Sequence, residues 1–69
     1  MEQHVVGKRY TVLLHRGKTA IEFAGKLVGE HGSMIYLANG TTTVNGRISR
    51  FRWLPINIGS PDSCRITLI

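Results

Sequence analysis

The sequence is short of most things that build a catalytic or metal centre. It has one cysteine, Cys64, so no intrachain disulfide can form and the usual covalent brace of small secreted domains is excluded. Acids number four (Glu2, Glu22, Glu30 and Asp62), and none are spaced as an obvious acid–base pair. The three histidines, His4, His15 and His31, lie far apart and lack the closely spaced ligand pairs of a structural zinc site, so no metal is expected. No serine or cysteine stands in a nucleophile motif, and no glycine-rich loop opens a helix to cradle phosphate. The chain therefore reads as a non-enzyme without a cofactor. No run approaches the ~20 apolar residues of a membrane span, and Met1-Glu2-Gln3-His4 does not open a signal peptide. The expected setting is soluble, reducing and cytoplasmic.

What is present is small, basic and rich in strand signals. The 69 residues allow one domain, residues 1–69. A chain of this size buries only about 60% of the surface its unfolded form exposes, so a partner subunit would help it reach useful stability. Nine Lys and Arg against four acids leave a formal charge of +5. Such an excess attracts polyanions and speeds their encounter, while also serving solubility.

Residues 1–7 read as a flexible lead-in. Arg9 to His15 alternates as a strand, with Tyr10, Val12 and Leu14 facing one way. Leu13 interrupts the opposite, polar face and marks either burial on both sides or a contact surface. Arg16-Gly17-Lys18 is a turn. Thr19–Gly29 carries two patterns: Thr19 and Glu22 match a helix capping box, whereas Ile21, Phe23, Gly25 and Leu27 alternate as a bent strand would. Gly25 and Gly29 disfavour a helix interior, so strand is preferred. Glu30-His31-Gly32 is a turn, Ser33 to Ala38 is a short apolar strand, and Asn39-Gly40 and Asn45-Gly46 both read as hairpin turns. Thr41–Val44, Arg47–Leu54 and Cys64–Ile69 complete a set of five to six short antiparallel strands. Pro55 must end its strand or lie on an edge. An all-β, strongly bent small barrel is the expected fold class.

Residues 12–37 resemble the first half of an Sm-like domain. Val12-Leu13-Leu14-His15-Arg16-Gly17-Lys18 resembles the family's opening strand and glycine turn, with a Gly17–Gly25 connection a few residues longer than usual. Phe23-Ala24-Gly25-Lys26-Leu27-Val28-Gly29, followed by Met34, keeps the spacing of its bent second strand. The resemblance implies a five-stranded SH3-like barrel of a kind often assembled in rings that bind RNA. Where the family carries a turn Asp and a base-contacting Asn, this chain has His31 and Ile35, and the family's second motif has no counterpart after Val44. No RNA-contacting residue therefore carries over.

The densest chemistry lies in Arg47–Trp53. Alternation sets Ile48, Arg50 and Arg52 against Ser49, Phe51 and Trp53, so the arginines and the aromatics occupy opposite faces. A small core needs large apolar groups, so Phe51 and Trp53 are read as core and the arginines as an outer basic face. Arg47, Arg50 and Arg52, with Arg65 and the turn residues Arg16 and Lys18, are the candidate nucleic-acid-binding residues, contacting RNA or DNA through phosphate. Lys8-Arg9 is a further basic spot, read as solvated, and Cys64 as a small buried hydrophobe. The apolar C-terminus either closes the barrel or offers an edge to another chain. Leu13, Ile35, Leu68 and Ile69 are the candidate protein-interface residues. The leading functional reading is backbone-driven nucleic-acid binding. The alternative is a small adaptor or inhibitor, of a kind a phage or mobile element could encode, docking on a larger protein or on a second copy of itself.

Overall fold

The computed structural model describes residues 4–69; Met1, Glu2 and Gln3 lie outside the described residues. Alternating and β-branched residues between glycine turns form five strands: β1 (Arg9–Arg16), β2 (Thr19–His31), β3 (Met34–Val44), β4 (Arg47–Asn57) and β5 (Ser63–Leu68). All pair antiparallel in one sheet of order β4-β3-β2-β1-β5. The small all-β domain expected from the sequence is thus built from five strands. Thr19–His31 is a strand throughout.

Three of the four connections are tight turns where the backbone needs a left-handed residue. Gly17 (φ 57°), Gly32 (φ 60°) and the Asn45-Gly46 pair (φ 51° and 79°) supply it. The other Asn-Gly pair behaves differently and joins two of the expected strands into one. Asn39-Gly40 lies inside β3. On β2, Ala24 pairs with Thr41 and Lys26 with Ala38, so Gly25 alone faces both Asn39 and Gly40. Asn39 takes φ 52°, and the left-handed residue makes a β-bulge where a hairpin was expected. A second irregularity, between Leu27 and Gly29, leaves Val28 as the extra residue of β2.

These bulges bend the sheet around one core. Tyr10, Val12 and Leu14 of β1, Leu27 of β2, Ile35 and Leu37 of β3, and Ile56 of β4 are buried, with Phe23, Phe51, Leu54, Ile58 and Ile66 packed against them. Ile35, a candidate interface residue, is 2% exposed and belongs to the core: β3 places it on the same inward face as Leu37.

The flexible lead-in expected over residues 1–7 is held in its described part. The Gly7 N–H donates to the Leu27 carbonyl (2.8 Å), and the Leu27 N–H to the Lys8 carbonyl (2.9 Å). The Val5 N–H donates to the Tyr10 hydroxyl at 2.8 Å, and His4 meets Glu30. At the other end β5 lies along β1, the ladder continuing to the Ile69 N–H on the Arg9 carbonyl (3.0 Å). β4 and β5 do not pair with each other, so each keeps one open edge. Pro55 sits on such an edge, opposite Tyr36 in β4.

Candidate functional site

The Asn39-Gly40 bulge is where the chain gathers its charge. A side chain at Gly40 would place Cβ 1.9 Å from the Ala24 carbonyl oxygen and 2.7 Å from the tip of Phe51. Only glycine lets β2 and β3 come this close, and the Phe51 ring lies over the space that Gly25 and Gly40 leave empty. Phe51 thereby fixes the middle of β4, with Arg50 and Arg52 on either side of it. Arg50 pairs with Thr41 and Phe51 with Gly40, in a register that runs unbroken along the β3–β4 hairpin.

Arg9, Arg50 and Arg52 line one open groove of about 490 Å³, completed by Asn39, Gly40, Thr41 and Phe51. All three arginines are exposed, and no acid is among the described residues that line the groove. Among the described residues no carboxylate pairs with any of these guanidinium groups. A guanidinium carries its charge at any ordinary pH and presents a planar fork of donors suited to phosphate oxygens.

Beside the arginines stands an aromatic pair. Trp53 directly follows Arg52, is 57% exposed, and stacks on Tyr36 with ring centroids 5.5 Å apart and planes 15° from parallel. Trp53 is therefore not the core residue that simple alternation makes it. On β4 the inward set runs Phe51, then Leu54 and Ile56. Alternation skips a residue opposite Asn39, where β3 turns left-handed, and the skip sends the indole to the outside. Cross-strand pairing then puts Arg9, Lys26, Ala38 and Trp53 in a single row across β1, β2, β3 and β4, their side chains on one face.

The remaining candidates are not part of this groove. Arg47 is exposed at the start of β4, three residues from Arg50 and so roughly 10 Å along the strand. Arg16 and Lys18 flank or occupy the β1–β2 turn. There the Arg16 guanidinium donates to the Ser60 hydroxyl (2.6 Å) and the Gly17 N–H to Asp62 Oδ2 (2.7 Å), clipping the turn to the β4–β5 loop. Arg65 lines a smaller groove, about 230 Å³, with Leu13, His15, Ser63 and Cys64. Leu13 is half-buried there, while Leu68 and Ile69 are 58% and 68% exposed. Cys64 is exposed rather than buried, because β5 is an edge with no strand beyond it. Partial desolvation still pushes its thiol above the ordinary thiol pKa. Sequence reasoning missed Arg9 and Tyr36. Arg9 reaches the groove only through the β1–β2 register, and Tyr36 only through the phase shift that turns Trp53 outward.

No protein-family profile, no curated protein and no solved structure matches this chain. Among the described residues no helix is long and apolar enough to cross a membrane. No group of three or more His, Cys, Asp or Glu among them could hold a metal ion.

Proposed function

We propose that this chain is a small, cytoplasmic nucleic-acid-binding protein that grips the phosphate backbone of RNA or DNA and acts as a regulator rather than a catalyst. One observation carries the reading: three arginines from two distant parts of the chain line a single open groove with no carboxylate among its described residues. Bringing like charges together without a counter-charge is unfavourable in the free protein, and an anionic ligand relieves it. The formal charge of +5 adds a long-range attraction of the same sign.

The mechanism is counterion release. Each phosphate neutralised on a single strand contributes a slope of about −0.7 to log K against log salt. If each of the three arginines neutralises one phosphate, affinity should fall on the order of 20-fold between about 50 and 200 mM salt. The test is fluorescence anisotropy of the purified protein with labelled single-stranded RNA, single-stranded DNA and duplex DNA. Salt-sensitive binding that disappears in an Arg50→Glu/Arg52→Glu variant with an unchanged melting profile supports the reading. No binding at low salt, or equal binding by that variant, would overturn it.

A second reading rests on a separate observation. β5 presents an unpaired edge ending in the exposed Leu68 and Ile69, a surface suited to another protein or a second copy of this chain. Leu68→Glu/Ile69→Glu should then abolish a light-scattering dimer or larger assembly while leaving nucleic-acid affinity intact.

A further inference from the structure

The groove explains attraction to any polyanion but leaves unused the aromatic pair at its side. Trp53 and Tyr36 stack nearly parallel, one ring against the face of the other. Tyr36 covers one side of the indole, and more than half of Trp53 still faces solvent. The surroundings keep this surface clear: Trp53 sits opposite Ala38, the smallest side chain of its row, and the Tyr36 ring lies against Gly29. In a soluble domain of this size an exposed tryptophan forfeits the burial that most tryptophans obtain. The bulge at Asn39, which sends this one outward, is the same bulge that shapes the arginine groove.

We infer that Trp53, backed by Tyr36, is the seat for one unpaired base of a strand whose phosphates lie over Arg9, Arg50 and Arg52, with Lys26 in the same row. The inference rests on the proposed phosphate-binding role of the groove and adds a ligand class to it: a single strand, RNA or DNA, with a base free to leave its neighbours. In a duplex each base face is already stacked, so the indole has nothing to receive. The platform lies on the outer sheet face, and its residues are not the positions where the Sm-like pattern carries its base contact. Stacking is tolerant of base identity because every base has a flat face, so little sequence preference is expected.

The charge and the stacking can be separated with three probes: a labelled deoxythymidine oligomer, a uridine oligomer, and an abasic deoxyribose-phosphate strand of equal length. Trp53 is the only tryptophan, so its emission reports on this one site. Both base-bearing strands should quench it and the abasic strand should not. By anisotropy the base-bearing strands should bind about 5- to 150-fold more tightly than the abasic one, the range expected of one stacked base. Trp53→Ala should erase that difference while keeping residual, salt-sensitive binding to all three, and Trp53→Phe should restore part of it. If the wild type binds all three equally, or Trp53→Ala lowers only the melting temperature, the stacking seat is overturned while the phosphate reading stands. If no strand binds at all, both are overturned.

Discussion

Replacing Gly40 with alanine should be among the most damaging single-methyl changes available to this protein. The added Cβ would lie 1.9 Å from the Ala24 carbonyl oxygen, 2.9 Å from its carbon and 2.7 Å from the Phe51 tip. The Phe51 contact could be relieved by a small ring movement, but the carbonyl belongs to the β2–β3 ladder and cannot withdraw without breaking it. Overpacking typically costs about 1–3 kcal/mol, and a clash with backbone belongs at or above the top of that range. At about 4–8 °C per kcal/mol for a domain of this size, a cost of about 3 kcal/mol lowers the melting temperature by roughly 12–24 °C. Total stability for 69 residues is on the order of 3–10 kcal/mol, so Gly40→Ala should sit near the edge of folding. Gly29→Ala is the control, because its Cβ would meet only Tyr36 Cδ2, at an ordinary 3.5 Å. It should shift stability by no more than about 0.5 kcal/mol. Adding Phe51→Ala to Gly40→Ala should not rescue it, since the carbonyl remains. Thermal and urea melts followed by far-UV circular dichroism measure all three. A Gly40→Ala variant within about 1 kcal/mol of Gly29→Ala would refute the close β2–β3 approach.

Three smaller tests follow from the same packing. Ile35→Ala should cost about 2–5 kcal/mol by urea denaturation, as for a core residue, whereas half-buried Leu13→Ala should cost clearly less; equal costs would contradict the assignment of Ile35 to the core. Tyr10→Phe removes the acceptor of the Val5 N–H and should lower stability by about 1 kcal/mol, with faster amide exchange at Val5 as the local readout. Cys64 is exposed but its thiol is held above the ordinary pKa, so it stays protonated to higher pH than an unfolded-chain thiol. Its reaction with an aromatic disulfide near pH 8 should be slower in native protein than in urea-unfolded protein, and native reactivity at or above the unfolded level would contradict the shift.

The strands were legible because their residues alternate, and three of the turns because Gly17, Gly32 and Asn45-Gly46 hold the backbone angles their positions need. The ambiguous Thr19–Gly29 resolved to strand for the reason its glycines suggested: Gly25 faces the bulge and Gly29 lies under Tyr36. Asn39-Gly40 was misleading because an asparagine in the left-handed region serves a bulge as well as a turn, and only the partner strand distinguishes them. That single residue carried the largest consequence. It shifted the phase of β3 and β4 together, moved Trp53 from the expected core to the surface, and left Gly40 and Phe51 to fill the space. Arg50 and Arg52 were recognisable as an outward pair from local spacing. Arg9 was not, because it lies more than forty positions from them along the chain and reaches them only through the successive strand registers of the sheet, and Ile35 was offered as surface although its strand neighbour Leu37 shares its buried face.

The most direct test of the arginine groove is a residue-resolved titration of the isotope-labelled protein with a short single-stranded oligonucleotide at low salt, followed by amide chemical shifts. The largest shifts should fall at Arg9, Asn39–Thr41 and Arg50–Trp53, fading as salt is raised. Shifts centred instead on Leu68 and Ile69, on the Gly17 turn, or spread evenly over all basic positions would contradict it.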